Sequence, residues 1–164
     1  MQEDKVLKGL QGWLVLIGLG IIVTPLRIAH TLATSYYPVF TDGTFNFLTT
    51  PGTELYHPLW GPLLIAELIY NSAIVMVYIY LIYLFFSKHY LFPKVFITVT
   101  LVAVVFIPLD VWVGTFIPDS GPAFDPETKK EFLRALFVVL VWVPYMLVSK
   151  RVEATFVGHM PNKE

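Results

Sequence analysis

Residues 59–86 read LWGPLLIAELIYNSAIVMVYIYLIYLFF, and this stretch decides the fold. It holds no Lys or Arg and one acid, Glu67. It exceeds the roughly 20 predominantly apolar residues that carry an α-helix across a hydrocarbon core of about 30 Å. Three further stretches of the same kind cover about residues 12–33, 95–116 and 132–148. The sequence therefore predicts an all-α, polytopic integral membrane four-helix bundle, with residues 1–164 forming a single membrane domain. Composition agrees: the 164 residues are 56% apolar, 16% aromatic and only 14% charged, with a mean hydropathy of +0.68. A soluble domain of this length rarely has that balance.

Orientation follows from the basic residues, which stay on the cytoplasmic side when they flank membrane spans. Lys5, Lys8, Lys88, Lys94, Lys150, Arg151 and Lys163 fall on one side, and Lys129, Lys130 and Arg134 on the other. Both termini are thus expected in the cytoplasm. The first span is read as a retained helix and not as a cleaved leader, because no small-x-small site follows it and Arg27 interrupts it.

Several kinds of chemistry are absent from the pattern. The chain has no cysteine, so disulfides, thiolate nucleophiles and iron–sulfur ligation drop out. His30, His57, His89 and His159 are dispersed, with no metal-binding spacing, no G-x-S-x-G and no phosphate-binding glycine loop. No cofactor or metal is expected. A net charge of −1 without a basic stripe gives no reason to expect nucleic acid. The expected partners are membrane lipids and, through glycine-bearing helix faces, a second copy of the chain or other membrane proteins.

The functional lead is a trio of ionisable residues inside the apolar runs: Arg27, Glu67 and Asp110. A charge in hydrocarbon costs on the order of 2.5 kcal/mol or more, so such residues are kept where they pair or act. At about 100° per residue, Gly20, Thr24, Arg27 and Thr31 share one stripe of the first span. Tyr56, Trp60, Glu67, Asn71 and Tyr78 share one on the second, and Ala103, Asp110 and Gly114 on the third. Pro25, Pro108 and Pro144 lie within spans and favour kinks. The fourth span shows little polarity beyond Arg134 and Tyr145, which makes it the most lipid-like.

At about 1.5 Å per residue, Arg27, Glu67 and Asp110 all lie roughly 10–12 Å below the outer boundary. The expectation is one buried polar cluster of Arg27, His30, Glu67, Asn71 and Asp110, near or open to the outside. One Arg against two carboxylates leaves an uncompensated negative charge. A proton on Glu67 or Asp110, a protonated His30, or a bound cation or amine would balance it, and each makes the site respond to pH. A competing reading makes the Arg27–Glu67 pair architectural, fixing how the helices assemble. The outer connection from Thr34 to Pro58 is long and aromatic. Its Asp42-Gly43 predicts a short hairpin or an interfacial lid over the cluster. Tyr56 and Trp60 are read as outer-loop or interface contacts, as belt aromatics are.

Four segments carry a resemblance: the opening Lys8-Gly-Leu-Gln-Gly-Trp-Leu14, the Pro25-Leu-Arg27 motif, Tyr56-His-Pro-Leu-Trp60 followed by Glu67 and Asn71, and the ending Ser149-Lys-Arg-Val-Glu-Ala-Thr-Phe-Val157. Together they resemble the bacterial membrane family known as domain of unknown function 2569, with Gln11 standing where that opening carries glycine. The resemblance implies a multi-pass protein of the bacterial cytoplasmic (inner) membrane and supplies no activity. Two functional classes follow from the residues. One is a proton- or ligand-responsive binding or transport-type protein that uses the charged cluster. The other is a non-enzymatic accessory or assembly protein whose ion pairs are architectural. An enzyme using Glu67, Asp110 and His30 as acid and base comes last, for want of a nucleophile, metal or cofactor motif.

Overall fold

The computed structural model describes residues 9–118, 121–122 and 124–158, which leaves Lys5, Lys8, Asp119, His159 and Lys163 outside the described residues. The described chain is helical: α1 (Trp13–Thr31), a π-turn (Leu32–Tyr36), α2 (Tyr37–Thr41), α3 (Thr44–Thr49), α4 (Trp60–Phe86), α5 (Phe92–Gly114), α6 (Pro126–Val148) and α7 (Lys150–Thr155). Four helical runs, Trp13–Thr41, Trp60–Phe86, Phe92–Gly114 and Pro126–Val148, are long and apolar enough to cross a membrane. At 23 residues the shortest rises about 34 Å, enough for a hydrocarbon core of about 30 Å.

The helix limits differ from the sequence reading for local reasons. The first run continues past Ala33 because Thr31, Thr34 and Thr41 turn their hydroxyls back onto the carbonyls of Arg27, His30 and Tyr37, and no glycine intervenes before Gly43. The fourth starts six residues before Phe132. There Asp125 caps Pro126–Val148, its Oδ1 accepting from the amides of Glu127 and Thr128 at 2.7 Å each, and Pro126 fills the first helical position. Those hydrogen bonds, the Thr128 amide first, hold the Asp125 carboxyl below the usual carboxylate range.

The hairpin expected at Asp42-Gly43 is not formed. Gly43 takes a left-handed φ of 89°, and Asp42 Oδ1 accepts from the Thr44 amide at 2.9 Å, so the dipeptide ends α2 and starts α3. The Thr44 hydrogen bonds hold the Asp42 carboxyl low as well. Phe40 and Phe45 stack across this turn with centroids 4.9 Å apart. Two short helices, not strands, form the outer connection. Among the described residues the single β-type contact is an isolated bridge between His89 and Gly158.

The spans pack in sequence, α1 on α4, α4 on α5 and α5 on α6. Trp13 against Trp142, centroids 6.1 Å apart, brings α6 back to α1. α6 contributes one buried residue, Met146, in line with its expected exposure to lipid. The apolar core is concentrated at the end that carries the termini, where Leu14, Ile17, Leu81, Leu84, Phe85, Phe92, Phe96 and Met146 are buried. α1 approaches α4 closely there: a Cβ on Gly18 would come within 3.0 Å of the Phe85 ring.

α7 closes that end. Ser149 caps it, and Val152, Thr155 and Phe156 are buried beneath it. Phe156 stacks on Phe92 at 4.5 Å and meets Phe85 at 5.9 Å. The backbone of Gly158 exchanges hydrogen bonds with the α4–α5 connection, donating to Lys88 O and accepting from the Tyr90 amide, both at 3.0 Å. The approach is tight: a Cβ on Gly158 would lie 3.0 Å from Lys88 O and would push this connection outward by a few tenths of an ångström. The Gly9 amide donates to Thr155 Oγ1 at 3.1 Å, so both ends of the described chain meet in one clasp.

Candidate functional site

Opposite the clasp, α1, α4, α5 and α6 bring their polar residues together around two centres. The first is an ion pair. Arg27 on α1 binds Glu131 on α6, and this differs from the expected Arg27–Glu67 partnership. The reason is the early start of α6: six further residues, about 1.7 turns, place Glu131 within the helix, where it meets Arg27. The pair is partly open, with 39% and 46% of the two side chains accessible.

The second centre is a carboxyl pair. Glu67 on α4 and Asp110 on α5 lie within interaction range of each other. The Tyr36 hydroxyl, supplied by the π-turn, donates to Glu67 Oε2 at 2.6 Å. Asn71 donates to the Glu67 backbone carbonyl at 2.9 Å and reaches the Tyr36 oxygen at 3.5 Å. Four helical segments thus contribute to the two centres, and Tyr36 ties the outer connection to the second.

Burial falls short of the expected buried cluster. Arg27, Glu67, Asn71 and Asp110 are each half-buried, and His30 is exposed. Among the described residues His30 makes no side-chain hydrogen bond or ion pair with the other four. Three residues beyond Arg27, it sits about 60° around the helix. Tyr56 is exposed and Trp60, the first residue of α4, is half-buried; among the described residues neither bonds to the cluster. A cavity of about 120 Å³ lies between the four spans beside the Arg27–Glu131 pair, and Glu67 and Asp110 do not line it. Arg27, Asn71, Glu131 and Arg134 stand at its polar side, while Ile74, Val99, Ala103, Ile107 and Val138 form an apolar wall. Beside it Tyr70 stacks on Phe106, centroids 3.5 Å apart and planes 5° from parallel, and pins α4 to α5.

Chemically, the arrangement offers a carboxyl pair with a phenol donor, a guanidinium–carboxylate pair, and, beside the latter, space for water or a small molecule. A cavity of this size admits several waters, and polar groups at membrane depth draw water in. As metal ligands, Glu67 and Asp110 supply two oxygens donors, and among the described residues no third His, Cys, Asp or Glu joins them. Tyr36 and Glu131 escaped the sequence reading. The Asp125-Pro126 start signal leads to Glu131, and the threonines at 31 and 34 carry the helix on to Tyr36.

No curated protein and no solved structure matches the chain. A family model described as a protein of unknown function, DUF2569, matches residues 7–157. Spanning nearly the whole sequence, that match makes the chain a member of the DUF2569 family.

Proposed function

We propose that the chain is a non-enzymatic, multi-pass protein of the bacterial cytoplasmic membrane, termini inside, whose Glu67–Asp110 pair binds and releases a proton from the outer side. The bias of Lys and Arg toward the terminal end supports the orientation. The observation that carries the proposal is the proximity of two carboxyls from adjacent spans, with a phenol as the nearest donor and Arg27 committed to Glu131. Like charges that close cannot both ionise freely, so the pair shares a proton. Gain or loss of that proton changes what Tyr36 bonds to, and Tyr36 belongs to the π-turn leading into α2 and α3. The proton is thereby read out as movement of the outer connection, which suits a responsive or transport-type role.

The test is infrared titration of the reconstituted protein from alkaline to acid pH. A protonated-carboxyl band that weakens in both Glu67→Gln and Asp110→Asn supports the proposal. Two carboxylates that titrate independently, like exposed ones, overturn it.

The Arg27–Glu131 pair favours a second reading, an accessory or assembly protein. It joins the first span to the last and has an architectural task of its own. Proton flux in liposomes separates the two readings. Flux lost at normal folded yield in Glu67→Gln supports the responsive role, and yield lost together with flux supports the architectural one.

A further inference from the structure

Arg134 is the one basic side chain at the central cavity without an ion-pair partner among the described residues. It lies one turn beyond Glu131 on the same face of α6, and Glu131 is taken by Arg27. Its side chain is exposed, which leaves the guanidinium accessible to an anion arriving from the outer side. Its planar fork matches a carboxylate in two parallel hydrogen bonds. The rest of the cavity's lining is mostly apolar, with Ile74, Val99 and Val138 beside the hydroxyls of Thr24, Thr100 and Tyr78. Its volume of about 120 Å³ approaches that of cavities of about 150 Å³ that take up benzene. The occupant that suits both halves has a planar anionic head and a small apolar body.

We infer that the cavity between the four spans binds a small organic carboxylate, held by Arg134 beside the Arg27–Glu131 pair, and that a proton is taken up with it. The second clause rests on the reading of Glu67 and Asp110 as a shared proton site. Arg27 and Arg134 balance Glu131 and a carboxyl pair holding one proton. A bound monoanion adds one negative charge, and a second proton on the pair restores neutrality. The other titratable groups facing this region are Tyr36 from the π-turn and Tyr70 and Tyr78 from α4. His30 is exposed.

Benzoate serves as the probe, titrated calorimetrically into the full-length protein in nanodiscs, in two buffers of different ionisation enthalpy. Wild type is expected to bind benzoate with net proton uptake. Arg134→Gln weakens binding about tenfold or more, the scale of losing hydrogen bonds to a charged group. Ala103→Leu, which fills the cavity from α5, weakens it independently of charge. The double variant Glu67→Gln/Asp110→Asn binds benzoate without proton uptake. Equal heats for wild type, Arg134→Gln and Ala103→Leu mean partition into lipid and overturn the site. Unaltered uptake in Glu67→Gln/Asp110→Asn overturns the coupling. Absence of benzoate binding alongside an intact infrared carboxyl band sinks this inference alone, whereas carboxylate binding without that band sinks the shared-proton reading.

Discussion

Replacing Phe156 with alanine tests whether the terminal clasp is part of the folded core. The side chain is 3% exposed, although it follows a helix of only six residues near the end of the described chain. Removing a buried phenylalanine costs about 3–5 kcal/mol in transfer and cavity terms. The stack on Phe92 and the tilted contact with Phe85 belong to that cost, at about 0.5–1.5 kcal/mol per aromatic pair beyond area alone. The opposing effect is relaxation: α7 is short and can shift to fill the void, which puts the expected loss near 3 kcal/mol. Reversible denaturant unfolding of the detergent-solubilised protein measures it. A cycle with Phe92→Leu should return a coupling of about 1 kcal/mol between the rings. A loss below about 1 kcal/mol would show that α7 rests on the bundle without contributing to it, and would refute the clasp. The carboxyl infrared band at the opposite end should be unchanged in the same variant.

Three other perturbations probe the outer half. Tyr36→Phe removes the donor to Glu67 and is expected to cost about 1–2 kcal/mol; faster hydrogen exchange confined to residues 32–49 would accompany it, and unchanged exchange would separate Tyr36 from the outer connection. Glu131→Gln strands Arg27 near membrane depth, so it should destabilise the protein more than the double variant Arg27→Gln/Glu131→Gln, by up to about 2.5 kcal/mol in bilayers; additive single effects would mean that the pair is solvated. The folded Asp125 carboxyl is held below its unfolded value, so its stabilisation of α6 is complete above the unfolded carboxylate range and disappears as pH falls through the lowered folded value. Asp125→Ala should therefore flatten that part of the stability–pH curve, while Asp125→Asn keeps the cap and loses only the pH dependence.

The spans were readable because hydrocarbon imposes a length and a polarity that few other environments require, and residues 59–86 meet both without any partner. The helix partners were less so. Arg27 announced its need for a carboxylate, and the two candidates within spans were Glu67 and Asp110, with Glu131 one residue outside the fourth span as read. Which one it met depended on where α6 began, and Phe132 was the wrong start because hydropathy marks lipid exposure and not the helix cap. Asp125-Pro126 carried that information in a different form. The hairpin failed for a related reason: Asp-Gly supplies a left-handed turn that serves a helix end as well as a strand pair, and here the flanking threonines satisfy helical carbonyls. The half-burial of the cluster was not legible at all, since it depends on how closely neighbouring helices pack, and no single stripe records that.

The two ends of the bundle follow opposite physical rules. At the terminal end, aromatic rings, a tight glycine contact and backbone bonds from α7 leave little freedom. At the other, the same four helices diverge around a cavity, and half-exposed charges replace buried apolar side chains. Local opening is cheapest where apolar contacts are few, so motion is expected at the charged end while the clasp holds the helices in place. An architectural role for the charges would be better served by burying them within the tight end, where an ion pair fixes helix alignment. Arg27 and Glu131 lie instead at the loose end against a cavity, and the carboxyl pair lies beneath a connection that Tyr36 attaches to it. That distribution favours charges that respond to protonation or to a ligand over charges that only hold helices together.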